Sequence, residues 1–299
     1  MNQSKKQKMG MSDRTFNVLM NVLVFLVLII VLYPLIMVVS SSLSSGDAVM
    51  SGRVLLWPVE FSLTGYELVF ANKAVWTGYL NSLFYTVLNT TLSLILTILT
   101  AYPLSRKNFV GKPLMTTLFM IPMFVSGGLI PSYLNATNLG LTNSRWGMVA
   151  MAGLAMSHVI IMRTFFQSNI PSELHESAEI DGINDFQYLF KIVLPLAKAS
   201  IAVITLYNIV GNWNAYFGPL IYLRDRDLYP LQLVLREILS ATKVDTSQFT
   251  DAAMIAKLSG AAEVMKYSLI VVATVPMLVL YPLVQKFFEK GVTIGSIKG

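Results

Sequence analysis

The sequence has no cysteine, two histidines and, at 13% charged residues, about half the charge expected of a soluble domain. The first absence excludes disulfides, thiolate metal sites and a cysteine nucleophile. His158 and His175 stand too far apart to read as a metal pair, and no His-Glu-x-x-His run occurs. A Gly-x-x-x-x-Gly-Lys-Ser/Thr run is also missing, so no phosphate-cradling loop is encoded, and the chain is not expected to be an enzyme or to hydrolyse ATP by itself.

What is present is apolar. Of 299 residues 55% are hydrophobic, and the mean hydropathy is +0.62. The formal charge of +6 could suggest nucleic acid, but the basic residues flank apolar segments instead of forming one stripe. Lipid is therefore the expected partner, and nucleic acid is not. A hydrocarbon core about 30 Å thick needs about 20 apolar residues of helix. Six such windows occur, at 16–40, 80–104, 114–134, 146–166, 197–222 and 264–287. The fold class is thus all-α, a polytopic membrane protein with six transmembrane helices over 16–288, a basic segment at 1–15 and a tail at 289–299.

The first window reads as a retained helix, because its apolar run exceeds that of a signal peptide and no small-x-small cleavage site follows. The third is interrupted by Pro122, Gly127, Gly128 and Pro131, and such breaks survive where protein re-satisfies the backbone, so it is expected to face protein. With the first residues inside, thirteen of the 22 Lys and Arg fall on the cytoplasmic side and nine outside. This favours both termini in the cytoplasm. Two outer segments are long: 46–79, rich in aromatics, and 223–263, where Leu231, Val234, Leu235 and Ile238 have the spacing of an amphipathic helix.

The segment 167–195 is unlike a simple connector. Its first predicted helix, 172–181, carries Glu173, Glu176, Glu179 and Asp181, with Gly182 where a helix end favours a left-handed residue. The second begins at Asn184, with Gln187 three residues on, and is expected to end before Pro195 with Phe186, Leu189, Phe190 and Val193 as its apolar stripe. Five acids against Lys191 make a negative knob suited to a basic cleft on a soluble partner, which the small Ser177 and Ala178 would let approach closely.

Glu176-Ser177-Ala178, Gly182 and then Ile192-Val193-Leu194-Pro195 resemble the Glu-Ala-Ala loop of ABC-importer permeases. Ser177, at the usual second alanine, is the one departure, and Asp181 before the glycine matches the sugar-importer branch. Tyr33-Pro34, Ser40-Ser41-Ser42-Leu43, Trp213 to Leu220 and the closing Lys290 to Gly299 are similar to permeases of oligosaccharide and lipo-oligosaccharide importers, akin to the smaller maltose permease. The resemblance implies a bacterial cytoplasmic-membrane subunit that pairs with a second homologous permease. It further implies two cytoplasmic ATPase subunits that hold ATP and Mg, an extracellular or periplasmic sugar-binding protein, and no cofactor on this chain. It assigns ATPase coupling to Glu176, Ser177, Ala178, Asp181, Gly182, Ile192, Leu194 and Pro195, and an ATPase contact to the tail through Gly295, Lys298 and Gly299.

Asn208, Asn212 and Tyr216 recur every four residues in the fifth window, a polar stripe too costly to turn toward lipid. With Trp213 and Asn214 they are the expected lining of the translocation path; hydrogen bonding to the partner permease is the competing explanation. The alternative functions, a membrane-embedded enzyme or a proton-coupled transporter, would need ionisable groups within the spans. His158 is the main candidate there.

Overall fold

The computed structural model describes the backbone of residues 11–241 and 252–296, and the described residues are helical and strand-free. In chain order the helices are α1 (Met11–Ser42), α2 (Gly46–Met50), α3 (Thr64–Ala71), α4 (Lys73–Ser105), α5 (Lys112–Phe124), α6 (Leu129–Asn138), α7 (Arg145–Met151) and α8 (Met156–Asn169). After them come α9 (Glu173–Ile180), α10 (Asp185–Tyr188), a π turn over Leu189–Val193 and α11 (Leu194–Leu196). The chain continues with α12 (Lys198–Trp213), α13 (Phe217–Tyr222), a 3₁₀ turn at Arg226–Leu228, α14 (Leu231–Ala241) and α15 (Ala252–Ser296). Three of these, α1, α4 and α15, are long and apolar enough to cross a membrane unaided. Three bent pairs bring the number of possible spans to six: α5 with α6 at 116°, α7 with α8 at 50°, and the 185–196 segment with α12 at 80°.

The bends correct the simple picture of straight windows. The third window breaks at Gly127 and Gly128, as its composition foretold, but α5 buries no side chain and α6 buries only Ala136. Met120 of α5 packs against the core of the second unit, and Tyr133 of α6 stacks on Tyr222. The fifth window also breaks: α12 ends at Trp213, and the chain re-enters a helix at Phe217 after a turn through Asn214, Ala215 and Tyr216. Tyr216 is therefore not in helical register with Asn208 and Asn212.

The chain divides into two compact units. The first comprises residues 1–71 and 238–272. Here α1 has no buried side chain between 15 and 36, so its long apolar surface is left for lipid or another subunit. Its last turn changes character: Ser40, Ser41, Ser42 and Ser44 are buried. Ser40 Oγ donates to the Leu56 carbonyl at 2.7 Å, and Ser44 Oγ accepts from the Val59 amide at 3.0 Å, folding the outer segment back on itself. Arg53 and Glu60 pair at 2.8 Å beside Ser45. Gly46 and Gly260 touch backbone to backbone, since a Cβ on Gly46 would lie 2.6 Å from the Gly260 carbonyl carbon.

The second unit comprises 72–237 and 273–299, with α4 packed along both α8 and α12. The facing side of α4 is polar: Asn81, Ser82, Thr86, Asn89, Thr90, Ser93 and Thr97 are all buried. Small polar residues at helical spacing let helix backbones approach closely and offer hydrogen bonds across the contact. The stripe also fixes the segment beyond α13. Asn81 Nδ2 donates to the carbonyls of Asp227 and Tyr229 at 2.7 and 3.0 Å, Tyr85 donates to Leu228 O at 2.9 Å, and Ser82 Oγ accepts from the Leu231 amide. As the apolar spacing predicts, α14 forms, with Leu231 and Val234 buried and Leu235 and Ile238 half-buried; Leu233, outside the predicted stripe, is buried too.

Candidate functional site

The two-helix loop 167–195 sits on an apolar cluster made by the end of α4, by α8 and by the start of α12. Ala101, Tyr102 and Leu104 of α4, Val159, Met162 and Phe166 of α8, and Ala197 and Ile204 flank Ala178, Tyr188, Leu189 and Val193 of the loop. Its local design follows the sequence. Gly182 ends α9 with φ +73°, a region easy only for glycine, and Asn184 Oδ1 caps α10 by accepting from the Gln187 amide at 2.9 Å.

Three expectations for this loop are corrected. The second helix does not stop before Pro195; a π turn over Leu189–Val193 leads into Leu194–Leu196 with Pro195 inside. The wider turn places Pro195 at the opening of the next helical piece, where its missing N–H leaves no hydrogen bond unmade. The apolar stripe divides: Leu189 and Val193 are buried, while Phe186 and Phe190 point outward with ring centroids 5.1 Å apart. Ala178, 4% exposed, packs inward, so a partner can approach through Ser177 alone. Ser177 is exposed, its hydroxyl tied to the Glu173 carbonyl.

Glu176 and Asp181 are exposed, and among the described residues neither takes part in an ion pair. Beside them lies a cavity of about 750 Å³ between α9 and the end of α4, lined by Arg106, Lys107, Gln167, His175, Glu176 and Tyr188 among others. Arg106 lies over the rings of Tyr102 and Tyr188, 5.9 and 5.6 Å from their centroids. Asp185 accepts from His175 and from Tyr102, and these contacts, the His175 bond foremost, hold its carboxyl below the usual range. A carboxylate depressed in this way stabilises the fold above its ordinary range, and the contribution is lost as pH falls through its lowered value. Ile192 and Leu194 are half-buried and Pro195 exposed. Of the tail residues, Gly295 lies in the last turn of α15, and Lys298 and Gly299 lie outside the described residues.

The expected path residues separate into two groups. Asn208 Nδ2 donates to Ile204 O at 3.0 Å and lies 3.4 Å from His158 Nδ1; Asn212 exchanges contacts with Asn89 and Thr90 of α4 at 3.3 and 3.5 Å. Trp213 is 1% exposed, edge-on to Tyr79, with Nε1 donating to Ala273 O at 3.0 Å. These three side chains are therefore held by their own chain. Asn214 and Tyr216 are exposed, and Tyr216 has Arg236 over its ring at 5.5 Å and Phe217 beside it. The sequence reading overlooked the polar stripe of α4, legible in the i, i+4 recurrence of Ser82, Thr86, Thr90 and the run beyond. It also overlooked the group around His175, which no spacing rule connects to Tyr102.

Apolar helices sufficient for three to six spans, with an acidic two-helix loop seated on α4, α8 and the start of α12, are what a membrane permease requires. The chain belongs to the family of binding-protein-dependent transport system inner membrane components, which it matches over residues 90–294. It is 38% identical to the polygalacturonan/rhamnogalacturonan transport system permease protein YtcP of Bacillus subtilis over 97% of this chain and 100% of that one. To the diacetylchitobiose uptake system permease protein NgcG of Streptomyces coelicolor it is 26% identical over 96% and 91% of the two chains. A chain in the crystal structure of a bacterial ABC transporter involved in import of the acidic polysaccharide alginate superposes with TM-score 0.87 at 35% identity, covering 95% of this chain and all of that one.

Proposed function

We propose that this chain is one of two permease subunits of a carbohydrate ABC importer in a bacterial cytoplasmic membrane, with both termini inside and the 167–195 segment as its coupling loop. A sister permease completes the path, two ATPase subunits bind ATP and Mg, and an external binding protein delivers an oligosaccharide. The observation that supports this reading most is the loop itself: Glu176 stands exposed and, among the described residues, outside any ion pair, on a helix whose other face packs on α4, α8 and α12. Force applied there reaches the helices that cross the membrane. Names of relatives that handle oligosaccharides or acidic polysaccharides support the substrate class.

Reconstitution with the co-expressed sister permease and ATPase tests the assembly. A stable complex whose ATP hydrolysis rises with the loaded binding protein is expected; a permease that purifies alone and moves sugar without ATP contradicts it.

The orientation is checked by single-cysteine labelling, clean because the chain has no cysteine of its own. An impermeant thiol reagent added to intact cells should modify Ser51→Cys and miss Asn108→Cys. The reverse pattern would invert the topology.

The path runs, in this reading, along the exposed Asn214 and Tyr216, while Asn208 and Asn212 hold α12 to α8 and α4. Tyr216→Ala is expected to change relative uptake rates among oligosaccharides at normal membrane levels. Asn212→Ala should lower the amount of assembled complex and leave relative rates alone, since one or two hydrogen bonds of about 1 kcal/mol are removed from a helix contact. Altered selectivity in Asn212→Ala with selectivity intact in Tyr216→Ala would reverse these assignments.

A further inference from the structure

We propose that His175 is a positioning residue for the coupling stroke, holding the two halves of the loop together and, through Asp185 and Tyr102, to the end of α4. The inference rests on the coupling role of the loop and adds how its motion is transmitted.

Asp185 is the first residue of α10, and its Oδ1 is shared by two elements. Tyr102 Oη from the last turn of α4 lies 3.2 Å from it, and His175 Nε2 from α9 lies 3.3 Å from it. The same tyrosine hydroxyl lies 3.3 Å from the Asp185 backbone carbonyl. His175 also presents its second nitrogen, Nδ1, to Glu179 Oε1 at 3.3 Å, and its ring stands edge-on to Tyr188 with centroids 4.8 Å apart. Arg106 closes the group over Tyr102 and Tyr188. One imidazole thus touches α9 and α10 directly and reaches α4 through a single shared carboxylate.

A neutral imidazole has one N–H and one lone pair, whereas the imidazolium has two N–H donors. Two carboxylates facing the two ring nitrogens are both satisfied only by the protonated ring. When the ring is neutral, one contact becomes a lone pair opposite a carboxylate. The charged and titratable groups facing His175 are Glu179, Asp185, Tyr102, Tyr188 and Arg106, with Glu173, Glu176 and Lys107 lining the same cavity. The contacts of the two ring nitrogens therefore set how firmly α9 and α10 move as one body. The movement is delivered to α4, whose polar face holds Asn212 and the 227–231 segment.

The test uses the complete reconstituted complex with its binding protein, measuring permease level, ATPase association and sugar moved per ATP hydrolysed. His175→Gln should keep ATPase association and lower the ratio roughly tenfold, as expected for loss of hydrogen bonds to two carboxylates. His175→Arg, which keeps N–H donors for both carboxylates, should restore most of the ratio. Tyr102→Phe combined with His175→Gln should be no worse than the more damaging single change. A His175→Gln complex with the wild-type ratio overturns the proposal, as does an Arg variant no better coupled than the Gln variant. Glu176→Lys separates the two levels: if it retains ATPase association and uptake, the coupling role itself fails, whereas a fault confined to His175 leaves that role standing.

Discussion

Glu176→Lys should leave the permease in the membrane at normal levels and weaken ATPase association by roughly a hundredfold or more, with uptake lost. The reason is geometric and electrostatic together. Glu176 projects from the exposed side of α9, next to Ser177, while Ala178 on the opposite side is packed on α4 and α8. Among the described residues the Glu176 carboxylate makes no ion pair, so its replacement is expected to cost the permease little. A basic partner surface that closes over it would take the carboxylate out of water, and breaking such a buried pair costs about 3–5 kcal/mol. Lysine adds repulsion to the loss. Gly182→Val reaches the same outcome by another route, because φ +73° at the end of α9 is strained for a β-branched residue and the turn into α10 must shift. Pull-down of the ATPase with each purified variant, alongside permease level in the membrane, measures both effects. Normal association in both variants contradicts the docking role of the loop.

Trp213→Ala should have the largest effect on the permease itself. The indole is buried, edge-on to Tyr79 at 5.5 Å, and its N–H donates to Ala273 O, so it joins α12 to α4 and α15 at the point where the fifth window breaks. Truncating a buried tryptophan costs about 3–5 kcal/mol in well-packed cores. Trp213→Phe refills much of the volume and forfeits the hydrogen bond, which is worth about 1 kcal/mol. Thermal unfolding of the detergent-solubilised complex should accordingly show a large fall in midpoint for alanine and a small one for phenylalanine, with relative uptake of different sugars unchanged. A shift in sugar selectivity with stability intact would return Trp213 to the path.

Much of this was legible in the sequence because membrane folding leaves strong periodic signals. Six apolar windows appeared, and the caps of the acidic loop, Asn184 and Gly182, fell where local chemistry required them. The bends did not. Whether Gly127 and Gly128 merely loosen a helix or turn it by 116° depends on what packs around it, and composition holds no record of that. The polar stripe Asn208, Asn212 and Tyr216 was recognised as too costly for lipid, yet the inference that it faces a path omitted a nearer solution. Two of the three meet neighbouring helices of the same chain, Asn212 against Asn89 and Thr90 of α4, and Asn208 beside His158 of α8. The π turn before Pro195 was hidden for a similar reason, since a proline signals the end of ordinary helix and not the wider turn that carries the chain past it. Tyr102, His175 and Asp185 come together across 83 residues of sequence, a distance no local rule bridges.

The central claim is that the exposed side of α9 meets the ATPase during the transport cycle. A photo-crosslinking amino acid placed at Ser177 in the intact complex tests it directly, because that side chain is exposed and small and its hydroxyl donates to its own helix. Irradiation should join the permease to the ATPase subunit, with a yield that changes between the nucleotide-free and ATP-bound complexes. Adducts with lipid or the binding protein, and none with the ATPase in either state, would contradict the account.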